Sequence, residues 1–275
     1  MSPTDAFAPA KVNLALHVTG QRADGYHLLD SLVVFADVGD RVRVTEARAM
    51  ALTVTGPRAA GVPADARNLC WKASEWFGES VSIVLEKHLP AAAGIGGGSS
   101  DAAATLRAVA DLRGRPVPSE GLERLGADVP VCMVGHAARM AGIGDVVHPL
   151  PPLALHAVLV NPGVDVSTPA VFKALTQKTN PPMAEMPAAA GGAGGFVDWL
   201  AAQRNDLQVP AVALQPVIGH VLAALEASPG ARLVRMSGSG ATCFALYDDS
   251  AEAEAAADGL RALHADWWVE PCTLR

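Results

Sequence analysis

Leu89-Pro90-Ala91-Ala92-Ala93-Gly94-Ile95-Gly96-Gly97-Gly98-Ser99-Ser100-Asp101-Ala102-Ala103 decides how the rest of the chain is read. Residues 81–85 lead into it as an alternating apolar run, so a strand arrives there. Residues 102–112 are rich in good helix formers, so a helix leaves. Four glycines and two serines occupy the junction. Glycine lets backbone N–H groups come close to a bulky anion, and the start of a helix leaves further N–H groups without partners. The helix dipole puts partial positive charge at the same end. Strand, glycine loop and serine-headed helix together make a phosphate cradle. On its residues alone the stretch also reads as a flexible glycine turn capped by serine.

Two better-known loops are excluded by spelling. A Walker A loop ends in Gly-Lys-Ser/Thr, and no lysine lies between Pro90 and Asp101. A dinucleotide fingerprint starting at Gly94 needs a third glycine where Ser99 stands, and one starting at Gly96 meets Asp101 instead. What Pro90 to Ser100 does resemble is the ATP-binding motif of the GHMP kinases, usually spelled Pro-x-x-x-Gly-Leu-Gly-Ser-Ser-Ala. Ile95 stands here for the leucine, and Gly97 and Gly98 are added before the serines. That Gly-Gly-Gly-Ser-Ser form is similar to one branch, the diphosphocytidyl-methylerythritol kinases.

The composition bounds the remaining choices. With 275 residues, half of them hydrophobic, the chain supports one large domain or two modest ones. A formal charge of −7 argues against a general nucleic-acid binder, so phosphate binding must rely on local cations and backbone dipoles. No apolar run is long enough to span a bilayer, and the first eight residues lack a basic or apolar leader, which reads as a cytoplasmic protein. The four cysteines are widely spaced and form no C-x-x-C pair, so reduced, buried thiols are expected. The eight histidines show no metal-ligand spacing.

Along the chain, residues 6–19 alternate as a strand, residues 20–27 form a polar loop, and residues 28–35 make a second apolar run. Residues 41–45 and 52–55 alternate at period two, as half-buried antiparallel strands do. Residues 68–77 read as a helix carrying Leu69, Trp76 and Phe77 inward. Residues 119–125 read as a short helix capped by Ser119 and stopped by Pro130, with 131–134 a strand beyond it. Strands follow over 138–147, broken by Gly142 and Gly144. The proline-rich stretch 149–152 marks a boundary, dividing the chain into 1–152 and 153–275. Beyond it come a strand at 157–160, a helix opened by Ser167-Thr168-Pro169, and a loop at 179–195 with no chemistry of its own. The chain closes with a helix at 214–227, strands at 233–236 and 242–247, a helix at 252–263 and a last strand at 267–269. Mixed strands and helices with several hairpins give an α+β fold.

Three further stretches carry chemistry. Pro9-Ala10-Lys11-Val12-Asn13-Leu14 sets Lys11 and Asn13 on one face of a strand, where both reach a single site. Leu125-Gly126-Ala127-Asp128-Val129-Pro130 offers Asp128, which taken alone is equally a turn or cap aspartate. Met236-Ser237-Gly238-Ser239-Gly240-Ala241-Thr242 is a glycine turn between strands. All three resemble GHMP kinase motifs in family order, and Asn205-Asp206-Leu207 resembles a further short motif without a catalytic role. The resemblance implies Lys11 as charge stabiliser and Asp128 as catalytic base. It places Pro90, Ala91, Ala92, Ala93, Gly94, Ile95, Gly96, Gly97, Gly98, Ser99 and Ser100 on ATP, and Gly238 and Gly240 over the active site. Ser100 is also the implied magnesium ligand.

The loop Gly20-Gln21-Arg22-Ala23-Asp24-Gly25-Tyr26-His27 is similar, as a whole octapeptide, to the one that holds cytosine in the diphosphocytidyl-methylerythritol kinases. Tyr26 would stack on the base, His27 would bond its edge, and Phe172 would close the other side, with Asn13 and Thr168 also on substrate. An isolated tyrosine is more often ordinary packing. The implied fold pairs an N-terminal domain like the second domain of ribosomal protein S5 with a ferredoxin-like C-terminal domain, the active site lying in their cleft. The implied reaction uses ATP and magnesium to phosphorylate the C2 hydroxyl of 4-diphosphocytidyl-2-C-methyl-D-erythritol. A kinase for homoserine, mevalonate or another small alcohol, and a nucleotide-binding relative without catalysis, are the alternatives. The only partner expected is the small-molecule substrate, with no nucleic acid or membrane, and the chain is expected as a monomer or weak homodimer.

Overall fold

Two long strands open the chain, β1 at Thr4–Gln21 and β2 at His27–Glu46. The apolar run at 28–35 and the alternating run at 41–45 are therefore one element, because nothing between them breaks the extended backbone. Residues 22–26 turn the chain between β1 and β2, with Arg22 N–H bonded to Tyr26 O at 2.8 Å. The computed structural model describes residues 2–187 and 192–275.

The chain folds as two compact units built from interleaved segments. The first comprises Met1–Lys11, Val38–Ala91 and Gly96–Gly135, and the second Val12–Asp37, Ala92–Ile95 and His136–Arg275. These units do not coincide with a contiguous division at residue 152. The physical reason is strand length: β1 and β2 are long enough to serve both cores.

In the first unit β2 pairs antiparallel with β4, Val81–Glu86, placing Val42 opposite Leu85. The third strand, β3 at Ala51–Thr55, runs parallel to β4, not antiparallel as its period-two pattern was read. Periodicity reports which face is buried and is blind to strand direction. Helix α1, Leu69–Phe77, is capped by Asn68, whose side chain accepts the Cys70 N–H. With α2, Gly97–Arg113, it covers the sheet through Cys70, Phe77, Ala102, Leu106 and Val109. Ser119 caps nothing: a single 3₁₀ turn at Leu122–Arg124 follows Gly121 instead.

Residues 131–134 are not a strand. They belong to helix α3, Val129–Val134, with Pro130 in its first turn. Proline has no N–H to lose at that position and its fixed φ suits the helix, so it starts this element instead of stopping one.

The second unit holds β5 (Ala138–Gly142), β6 (Val146–Pro149), β7 (Leu155–Asn161), β8 (Leu233–Met236), β9 (Cys243–Tyr247) and β10 (Trp268–Leu274). Strands β10, β7, β9 and β8 lie side by side in that order, every pair antiparallel. With the intervening helices this is the β-α-β-β-α-β arrangement of a ferredoxin-like unit. Its helices are α4 (Thr168–Lys173), α5 (Gly192–Ala201), α6 (Gln208–Leu214), α7 (Val217–Glu226) and α8 (Ser250–Leu263). The helix expected over 214–227 is α7 with its start moved: Gln215 and Pro216 separate it from α6. Ile218, Val221 and Leu225 of α7 join Val158, Val160, Ala245 and Leu260 in the core.

The stretch read as a loop at 179–195 divides. Residues 188–191 lie outside the described residues, and α5 begins at Gly192. Its first part is fastened: Asn180 N–H bonds Val18 O, and Met183 N–H bonds Asp30 Oδ2 at 2.8 Å. All four cysteines are buried and unbridged.

Candidate active site

The glycine loop ends in a helix start without a side-chain cap. Gly96 stands at the N-cap of α2 with φ +62°, and no side chain bonds the first turn. The first intrahelical bond is Ser100 N–H to Gly96 O at 2.9 Å, leaving the N–H groups of Gly97, Gly98 and Ser99 without helical partners. The helix therefore begins five residues before the run of helix formers at 102, and the glycines and serines form its first turn. A side chain at Gly96 would bring a Cβ to 3.0 Å from Lys11 Cε, so glycine lets this lysine pass beside the helix start. At Gly94, φ is +72° and a Cβ would meet Ser237 O at 2.5 Å. Ala92 holds φ +48° without being glycine, a conformation that costs about 1–2 kcal/mol.

Lys11 and Asp128 come together in the first unit. Lys11 Nζ stands 3.0 Å from Asp128 Oδ2, the lysine side chain 6% and the aspartate 34% exposed. Asp128 occupies the N-cap position of α3, yet its side chain makes no cap hydrogen bond. The reading of Asp128 as a cap residue therefore fails, and its carboxylate is turned to the lysine. A nearly buried ammonium next to a helix N-terminus supplies positive charge for phosphate, and a partly exposed carboxylate beside it is able to orient a hydroxyl.

Sequence reasoning missed a third feature, the buried cluster of Asp40, Lys87 and Asp101. Lys87 Nζ donates to Asp40 Oδ2 and, at 2.8 Å, to Asp101 Oδ2. Burial pulls the Lys87 ammonium down, but the facing carboxylates of Asp101 and Asp40 leave it above its ordinary value. Burial pushes the Asp101 carboxyl up to about 7 against the pull of Lys87, with Asp40 adding to the rise. The signal available in the sequence was an aspartate inside an apolar strand and a lysine before the apolar entrance to the loop.

The remaining predicted residues belong to the second unit. Ser237 Oγ accepts the Asn13 N–H and donates to Gly94 O, each at 3.0 Å. Asn205 Nδ2 donates to Met236 O at 2.7 Å and Gly238 O at 2.8 Å, so the Asn-Asp-Leu motif holds the glycine turn in shape. Asn13 Nδ2 is bonded to Ser31 Oγ at 2.8 Å. Gly238 and Gly240 adopt φ of +55° and +85°, and Thr168 Oγ1 lies 2.7 Å from Ser239 Oγ on the same turn.

Tyr26 is 61% exposed, which removes it from the core. His27 stacks on Phe172, ring centroids 4.8 Å apart and planes at 24°. Burial, with a smaller effect from Lys178, lowers the His27 pKa, which favours the neutral ring that is able both to donate and to accept at a base edge. His27 Nε2 is buried and has no hydrogen-bond partner among the described residues.

The donor set for a resident metal is thin. No group of three or more His, Cys, Asp or Glu able to hold an ion occurs among the described residues. Ser100, the implied magnesium ligand, is fully buried with its hydroxyl unbonded, and its side chain does not face solvent. These residues do not build a protein-held magnesium site.

Comparison with known proteins identifies the family. The profile of the GHMP kinases N terminal domain matches residues 66–148, and that of the GHMP kinases C terminal matches residues 186–266. A 4-diphosphocytidyl-2-C-methyl-D-erythritol kinase of Dinoroseobacter shibae is 59% identical, covering 99% of this chain and 96% of its own length. One from Cereibacter sphaeroides is 56% identical, covering 98% and 99%. The crystal structure of a 4-(cytidine 5'-diphospho)-2C-methyl-D-erythritol kinase superposes with a TM-score of 0.80 at 34% identity, covering 98% of both chains. A homoserine kinase from Cytophaga hutchinsonii, at TM-score 0.69 and 18% identity over 99% of this chain and 95% of its own, shares the fold. With identity this high over nearly the whole length of both partners, the chain belongs to the 4-diphosphocytidyl-2-C-methyl-D-erythritol kinase family of the GHMP kinases.

Proposed function

We propose that this chain transfers the γ-phosphate of ATP to the C2 hydroxyl of 4-diphosphocytidyl-2-C-methyl-D-erythritol, a step in making isoprenoid precursors. The observation that carries the reading is the Lys11–Asp128 pair, 3.0 Å apart, in the unit that also presents the uncapped start of α2. Phosphoryl transfer needs little covalent help from the protein and depends on positioning and on charge placed where the transition state develops it. The N–H groups of Gly97, Gly98 and Ser99 hold phosphate oxygens, and Lys11 offsets charge on the transferred group. Asp128 accepts a hydrogen bond from the attacking hydroxyl and takes its proton late, since a carboxylate is a weak base for an alcohol. Magnesium enters on the ATP phosphates, as it commonly does, keeping water among its ligands.

Substrate choice falls to the second unit. The exposed Tyr26 ring supplies a stacking face, and the unbonded His27 Nε2 supplies a polar group for the base edge. His27 stacks on one face of Phe172, so bringing that face onto cytosine requires the imidazole to swing aside. One chain carries both sets of residues, so the reaction needs no second subunit, and its substrates imply a cytoplasmic setting. Among the described residues no helix is long and apolar enough to cross a membrane.

A coupled assay of ADP release with the cytidyl substrate, mevalonate and homoserine, each with magnesium and ATP, tests the reading. Turnover is expected with the cytidyl substrate alone. Absence of phosphorylated product from protein that binds ATP overturns the enzyme assignment, and turnover of mevalonate or homoserine moves it to another GHMP activity.

A further inference from the structure

Three of the most deeply buried charges of the first unit take no part in the reaction above: Asp40, Lys87 and Asp101 are 0%, 4% and 3% exposed. Taking such groups out of water costs free energy that their attraction seldom recovers, and apolar replacements of buried ion pairs are often as stable. Stability alone is a weak reason for them to be here. Their placement gives a better one.

Asp40 Oδ1 accepts the N–H groups of His88 at 2.6 Å and Leu89 at 2.9 Å, the two residues that lead into the glycine loop. Asp101 sits at the other end of that loop, in α2 immediately after Ser99 and Ser100. Lys87 joins the two carboxylates, so its side chain spans the loop from entrance to exit. The lysine is itself held by its backbone, with N–H to Thr55 O at 2.8 Å and C=O accepting Arg58 N–H at 3.1 Å. Its ammonium lies 3.7 Å from where a Cβ on Gly97, the first residue of α2, would stand. The cation is thus directly behind the helix start.

We propose that Lys87 and Asp101 are positioning residues for the glycine loop. Their ion pair, anchored on Asp40, sets the spacing between the end of β4 and the start of α2. It thereby aims the N–H groups of Gly97, Gly98 and Ser99 at the ATP phosphates. This rests on the ATP reading given above and adds to it a cause for the loop's geometry. The effect is selective, because the cytidyl group is held by other residues, in the second unit.

The test compares Asp101→Ala and Asp101→Asn with the wild-type chain, measuring ATP binding by calorimetry, KM for each substrate, and thermal stability. Asp101→Ala removes the tie yet leaves Lys87 paired with Asp40, so no buried charge is orphaned. ATP affinity and KM are expected to weaken about tenfold, on the scale of one charge-assisted hydrogen bond, while KM for the cytidyl substrate stays within about twofold. Asp101→Asn keeps an oxygen for Lys87 and is expected to recover most of that loss. Unchanged ATP affinity in Asp101→Ala, equal losses for both substrates with a lowered Tm, or no recovery with Asn overturns the proposal. If Asp101→Ala does not fold, Asp101→Ser takes its place, being too short to reach Nζ, and failure of both assigns the cluster to stability alone. Wild-type protein that binds no ATP refutes the functional reading itself, whereas normal wild-type binding with an unaffected variant refutes only this one.

Discussion

Truncating Tyr26 to alanine separates a base-stacking role from a packing role. The residue is 61% exposed, and the hydrogen bonds it makes come from its backbone, N–H to Asp24 Oδ1 at 3.2 Å and C=O from Arg22 N–H at 2.8 Å. Both survive truncation, so the folded state should lose within about 0.5 kcal/mol, the usual range for a surface substitution. Stacking of an aromatic ring on a base is worth about 1–3 kcal/mol. That converts to about a 5- to 140-fold loss of affinity at 1.4 kcal/mol per decade. The loss should appear mainly as a higher KM for the cytidyl substrate, since the base is remote from the reacting hydroxyl, with KM for ATP unchanged. Tyr26→Phe keeps the face and should be mild. Steady-state kinetics for both substrates, read beside a thermal melt, make the measurement. A Tyr26→Ala enzyme with unchanged KM for the cytidyl substrate, or one that loses both substrates together with several degrees of Tm, refutes the reasoning.

Asp128→Asn should lower kcat by about 10²–10⁴-fold, the typical range for a general base, with little change in KM, while Tm falls because the nearly buried Lys11 ammonium loses its facing charge; near-normal kcat in the variant removes Asp128 from the mechanism. For pH, burial lifts the Asp101 carboxyl from about 3.9 when unfolded up to about 7 when folded, so between these values the folded state holds the extra proton and stability falls as pH rises, by at most about 1.4 kcal/mol per unit. The carboxylates held low by ion pairs, such as Asp30 and Asp65, act in the opposite sense at lower pH, so the comparison to make is between wild type and Asp101→Asn. The Tm of the variant relative to wild type should climb from pH 4 to 7 and level off above, and a constant difference contradicts the assignment.

Part of the candidate site was legible in the sequence. Lys11 and Asn13 share a face because strands alternate, and the glycine-serine junction reads as a phosphate cradle because glycine admits close approach and a helix start leaves N–H groups available; that the helix begins at Gly97 with no side-chain cap was not legible. Whether Asp128 was a cap or a partner of Lys11 was not legible: Lys11 and Asp128 are far apart in the chain, and only tertiary packing sets Nζ beside Oδ2. The same holds for Phe172, whose stacking on His27 joins residues from two distant elements.

What the sequence by itself determined is local: where the backbone extends, where it turns, which face of each element is apolar, and which motifs stand in which order. These follow from side-chain periodicity and from the conformational limits of glycine and proline, which act over a few residues. Even there, Pro130 shows the limit, since proline is equally suited to ending one helix and to beginning the next, and the packing of α3 decides which. Tertiary structure alone decided the direction of β3, the interleaving of the two units and the tying of the loop by Asp40, Lys87 and Asp101. Strand direction leaves no trace in periodicity. A buried charge, likewise, is stable only through the partner that folding brings to it, and that partner is not its neighbour in the chain.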